Sequence, residues 1–173
     1  RLIMHTKYNL LLLFLILSVN AMSDISNNPS NWYVVTDQVM GGKSELKADY
    51  DSGVFSLSGF VTTENNGGFV RLAYRPKNID KEVNGIRFMA KGNNETYEVH
   101  VTMQGVRIPP WAYHSSTFDV KNDWQMFEIN FSNFEKKSGV SPKLRPNNIR
   151  DISFAGYGRD FNVDLHIKEI SFY

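Results

Sequence analysis

Tyr97-Glu98-Val99-His100-Val101-Thr102-Met103-Gln104 decides the fold class, because apolar and polar side chains alternate without a break for eight positions. Only an extended strand, with successive side chains on opposite faces, separates such a sequence into a buried and a polar side. The pattern recurs at Val163, Leu165 and Ile167 against Asp164, His166 and Lys168, and at Phe127, Ile129 and Phe131 against Glu128 and Asn130. Turn clusters separate the runs: Asp51-Ser52-Gly53, Glu64 to Gly68, Lys91 to Asn94 and Lys121 to Asp123. From Trp32 onward no stretch of ten or more residues holds a helical period. The reading yields nine or ten strands, near 32–36, 43–49, 54–62, 69–75, 84–91, 96–104, 111–118, 124–131, 149–157 and 162–172. Many short antiparallel strands with turns every 8–12 residues predict an all-β, two-sheet jelly-roll sandwich. The one helical expectation is a short turn at 132–137, capped by Ser132.

The 173 residues carry 19 Lys+Arg against 18 Asp+Glu, and no cysteine. That charge balance leaves no basic excess to neutralise a run of phosphates, so nucleic acid is not an expected partner. Without cysteine there are no disulfides, thiolate zinc sites or cysteine nucleophiles. Residues 1–21 read as a secretory signal peptide: His5 and Lys7 precede the apolar run Leu10 to Leu17, and Val19-x-Ala21 supplies a small-residue cleavage pattern. Cleavage is expected after Ala21, leaving 22–173 as one domain, with Met4 as the start and residues 1–3 as an extension. Loss of Arg1 and Lys7 takes the formal charge from +1 to −1. The expected location is the periplasm or the extracellular space, with no stable membrane span after cleavage; the alternative is anchoring by an uncleaved N-terminal segment.

Catalytic constellations are scarce. His100, His114 and His166 fall on expected strands and none sits in a metal-ligand spacing such as H-E-x-x-H. No Gly-x-Ser-x-Gly elbow and no Gly-x-Gly-x-x-Gly loop is present. Glu64, Glu98 and Glu128 are the carboxylates from which a glycosidase pair would be drawn, and Asp49-Tyr50-Asp51 lacks the order of an EF-hand calcium loop. No metal or cofactor is expected. A binding face is easier to build: with Tyr97, Val99, Val101 and Met103 in the core, Glu98, His100, Thr102 and Gln104 line one outer face. Arg71 and Arg75 share a face of their own strand, as do Arg87 and Lys91. Trp111 and Tyr113 follow the stiff Ile108-Pro109-Pro110 segment. Rings beside Arg, Glu and Gln suit a sugar, whose C–H faces stack on aromatics while its hydroxyls pair with polar groups, and suit a wet protein interface equally.

Two segments are more specific than the strands around them: Trp32 followed by Asp37-Gln38-Val39-Met40-Gly41-Gly42-Lys43-Ser44, and Asn65-Asn66-Gly67-Gly68-Phe69. Paired glycines allow positive φ and close backbone approach, marking tight crossings at strand ends, where Asp37, Asn65 and Asn66 would tie loop amides. In order and spacing the two segments resemble the complex I intermediate-associated protein 30 family, which opens with Trp and Asp-x-Val-Met-Gly-Gly-x-Ser and follows with Asn-Asn-Gly-Gly-Phe. The resemblance runs over 32–173; Asn130 departs from it, standing where the family usually has Pro. It implies a galactose-binding-like β-sandwich and a non-catalytic, chaperone-like or scaffolding role in assembling a protein complex. The architecture implies an alternative, a secreted or periplasmic carbohydrate-binding module. Protein recovered from its native cells should begin near Met22 by N-terminal sequencing, and full-length chain in the cytosol would contradict the address read from 1–21.

Overall fold

The computed structural model describes residues 23–105 and 111–173. The signal segment and Ile108-Pro109-Pro110 lie outside the described residues. The strands are β1 (Trp32–Thr36), β2 (Glu45–Asp51), β3 (Val54–Val61), β4 (Phe69–Tyr74), β5 (Gly85–Gly92), β6 (Thr96–Met103), β7 (Tyr113–Asp119), β8 (Gln125–Asn130), β9 (Glu135–Lys136), β10 (Ile149–Tyr157) and β11 (Phe161–Phe172). They form a six-stranded sheet in the order β1-β4-β10-β6-β7-β9 and a five-stranded sheet in the order β2-β3-β11-β5-β8, every pairing antiparallel. The fold is the expected two-sheet sandwich. Among the described residues no helix is long and apolar enough to cross a membrane.

The inner faces meet over aromatic rings. Trp32 packs on Phe55, Tyr74 and Phe154, and Phe88 packs on Phe118, Phe127 and Phe154. Phe88, Val99, Val101, Met103 and Ile152 are fully enclosed, as the alternation of β6 requires. The segment after β8 departs from expectation. In place of a helical turn over 132–137, a 3₁₀ turn spans Phe131–Asn133 and β9 follows it. The cap is Asn130, whose side-chain oxygen accepts from the Ser132 amide at 2.9 Å, so Ser132 is inside the turn. Asn130 supplies by hydrogen bond the stop that a proline supplies by its ring.

The two glycine motifs converge on one carboxylate. Asp37, fully buried in a 3₁₀ turn after β1, accepts from the Ser44 amide at 2.9 Å, the Ser44 hydroxyl at 2.5 Å, the Gly68 amide at 2.6 Å and the Phe69 amide at 3.2 Å. The glycines divide the labour. A Cβ on Gly42 or Gly67 would lie 2.4 Å from the Asp37 carboxyl, so these two admit close approach, whereas Gly41 (φ 87°) and Gly68 (φ 124°) hold left-handed backbone. Asn65 and Asn66 also sit left-handed, and Asn65 donates its side-chain amide to the Gly41 carbonyl at 3.3 Å rather than accepting from the loop. The Ser44 hydroxyl oxygen in turn accepts from the Thr62 amide at 3.0 Å. One buried group therefore fastens the end of β1 and the start of β4 in one sheet to the start of β2 and the end of β3 in the other.

Burial alone would raise the Asp37 pKa, but donors from Gly68, Ser44 and Phe69 outweigh it and hold the carboxyl below its ordinary value. A depressed folded-state value contributes stability that is full above the unfolded carboxylate range and is lost as pH falls through the folded value. Asp37→Asn should cost about 2–4 kcal/mol near neutral pH by leaving buried donors without an acceptor, and should flatten the acid limb of the stability profile. Gly42→Val should cost about 1–3 kcal/mol by steric conflict, and the double variant should lose less than the sum because both act on one knot. Chemical denaturation across pH checks this; unchanged midpoints would refute the knot.

Candidate functional site

The outer face of the six-stranded sheet carries polar and aromatic side chains in two rows fixed by strand register. One row runs Val35, Arg71, Ala155, Glu98, Thr117, and the next Tyr33, Ala73, Ser153, His100, Ser115, Glu135. Register thus brings Arg71, Glu98 and His100 onto one face, with Tyr113 opposite Thr102 beside them. Arg87 and Lys91 lie apart, on β5 in the other sheet. Gln104, just past β6, donates its side-chain amide to the Ile149 carbonyl at 3.3 Å. Small residues floor the centre of the face, and Ala73, Ala155, Ser153 and Ser115 are all buried.

Two charged clusters flank that floor. Asp151 accepts from Tyr33 Oη at 2.6 Å, Arg75 Nε at 2.8 Å, Arg150 Nε at 2.8 Å and Thr102 Oγ1 at 3.2 Å. Burial would raise the Asp151 carboxyl, but these donors hold it down. On the other side, His100 Nε2 lies 2.6 Å from Glu98 Oε2. Burial keeps His100 below its ordinary pKa although Glu98 opposes it, and burial of Glu98 is in turn outweighed by the hydrogen bond from His100, which lowers the carboxyl. The pair is a neutral imidazole donating to a carboxylate. The His100 ring stacks on Tyr113 at 4.3 Å, with the Tyr157 edge at 5.3 Å. Burial first, then a hydrogen bond with Tyr157, raises the Tyr113 hydroxyl.

The outward alternation of β6 does not translate into exposure. His100 is 2% exposed and Tyr113 8%, so neither ring offers a free face. The half-exposed rings are Tyr157 at 41% and Tyr33 at 37%, neither singled out by the sequence reading, and Trp111 at 67% stands on the surface before β7 rather than in the core. Tyr33 and Tyr157 sit two strands and four register positions apart, about 16 Å at the backbone from strand geometry. Between them is Arg71. Its guanidinium lies over the Phe69 ring at 5.0 Å, its Nε is buried without a hydrogen-bond partner, and burial lowers its pKa. Every neighbouring carboxylate on the face is engaged elsewhere. Among the described residues, Arg71 Nε is thus a buried donor on this face without a hydrogen-bond partner.

The carboxylates considered for glycoside cleavage do not assemble. Glu64 pairs with Lys43 in a loop, and Glu128 pairs with Arg87 on the five-stranded sheet, across the sandwich from Glu98. Among the described residues no group of three metal-ligating side chains forms.

The model of the complex I intermediate-associated protein 30 family matches residues 22–167. No curated protein sequence matches. Among solved structures, the family 11 carbohydrate-binding module of the cellulosomal cellulase Lic26A-Cel5E of Clostridium thermocellum superposes with a TM-score of 0.72 at 18% identity, over 87% of this chain and 92% of that one. The Clostridium thermocellum family 11 module in complex with a β-1,3-1,4-mixed-linked tetrasaccharide gives 0.71 at 18% identity over 87% and 93%. A family 30 carbohydrate-binding module gives 0.53 at 15% identity over 82% and 92%. At these identities the likeness is one of fold.

Proposed function

The chain belongs to the complex I intermediate-associated protein 30 family, and on that premise we propose that it is an exported, non-catalytic binding domain whose ligand is a glycan held on the outer face of the six-stranded sheet. The observation that carries this reading is the pair of half-exposed tyrosines, Tyr33 and Tyr157, bracketing an Arg71 that has no hydrogen-bond partner at Nε. A backbone separation of about 16 Å between the two tyrosines suits a short oligosaccharide better than a single sugar. Each would stack on a pyranose face while Arg71 and Glu98 meet hydroxyls. Asp151 and the Glu98–His100 pair hold the walls of that face in place. The fold shared with carbohydrate-binding modules supports the same reading.

A second reading follows the family name: a docking partner for a protein complex under assembly. It is favoured by Val39 and Met40, which stand 76% and 63% exposed beside the Asp37 knot and contribute little to the core.

A glycan array should return polysaccharide hits that Tyr157→Ala and Arg71→Ala each weaken by about tenfold or more, the scale of a binding hot spot, with circular dichroism and melting unchanged. A blank array, together with co-purification of a protein complex that Val39→Ser/Met40→Ser abolishes, would replace the glycan reading with the assembly reading. Trp111→Ala should leave the fold intact in either case.

A further inference from the structure

We propose a second ligand site at the end of the sandwich closed by β7, β9 and the segment from Phe131 to Pro146, suited to a small carboxylic acid with an apolar body. It shares no residue with the proposed glycan face and does not rest on that reading. The cavity measures about 580 Å³, within the range of small-molecule pockets. Its apolar wall is Val83, Phe131, Phe134 and Leu144. Its charged lining is of one sign: Lys81, Lys136 and Lys143 border it beside the neutral Asn84, Asn130 and Ser132, and no Asp or Glu is among the described lining residues. Lys81 makes only a long, exposed pair with Glu82 at 3.7 Å.

The second, independent sign is His114. It faces inward from β7, opposite Lys136 of β9, is 4% exposed, lines the cavity and leaves Nδ1 buried without a hydrogen-bond partner. A buried ring nitrogen without a partner is uncommon and calls for a ligand atom or a bound water. Burial, reinforced by the Lys136 ammonium, lowers the His114 pKa, so near neutral pH the ring is an uncharged group able to donate one N–H. Lysine ammoniums and one imidazole donor over an apolar wall complement a carboxylate on a hydrocarbon or aryl body. A neutral alcohol of the same length would fill the wall but leave the cations unmatched, and a bare inorganic anion would leave the wall unfilled.

The test is a titration of the full chain by two-dimensional ¹⁵N NMR with sodium octanoate, and in parallel with 1-octanol. Octanoate should give saturable shifts at the Val83, Phe131 and Leu144 amides and at the His114 imidazole, with affinity about tenfold above octanol and falling as salt rises. Lys136→Gln/Lys143→Gln, which alters side chains at the cavity mouth without touching the core, should weaken octanoate about fivefold or more and leave octanol unchanged. Equal affinity for acid and alcohol, an unchanged double variant, or no saturation by about 10 mM would each overturn the proposal. None of these outcomes bears on the glycan face.

Discussion

A fully buried carboxylate with four donors organises this protein. Asp37 gathers the Ser44, Gly68 and Phe69 amides and the Ser44 hydroxyl, and thereby draws together loops that begin or end strands in both sheets. A charge so enclosed is tolerable only when every lone pair is met. That requirement explains the composition of both glycine motifs: Gly42 and Gly67 because nothing larger fits against the carboxyl, Gly41 and Gly68 because the chain must turn left-handed to present its amides. The Gly68 carbonyl then accepts from the Gly158 amide at 2.8 Å, carrying the constraint into the β10–β11 turn. Arg71 and Tyr157 project from the strands so fixed, which is how a structural knot comes to set the geometry of the proposed binding face.

The strands were legible because the core demands alternation wherever one face meets water. Tyr97 to Met103 shows it plainly, and ten of the eleven strands fall close to the expected ranges. The exception is β9, whose two residues Glu135 and Lys136 are too few to show a period; they are held as a strand by pairing with β7. The motif residues were legible as loop fixtures, but their convergence on Asp37 was not, since the Gly68 donor lies 31 residues away in sequence.

The candidate site was legible in part. Arg71, Glu98 and His100 follow from strand parity, whereas Tyr33 and Tyr157 do not. Tyr33 sits in Trp32-Tyr33-Val34-Val35, which has no alternation, and Tyr157 ends the strand Ile149 to Tyr157, in which Ser153 and Ala155 face outward but are buried. Small side chains on an open face make a strand read as buried on both sides, concealing which residue points where. Strand parity does not give exposure either: His100 points outward yet is covered by its own neighbours, Tyr113 and Tyr157.

On the function proposed above, the outer face of the six-stranded sheet is where this domain meets its ligand. Chemical-shift mapping with a β-linked oligosaccharide identified on the array tests it directly. Perturbations should concentrate on Tyr33, Arg71, Ser153, Tyr157 and their strand neighbours, with Val39, Met40 and the five-stranded sheet unmoved. Shifts centred on the five-stranded sheet, or on Val39 and Met40, would contradict it.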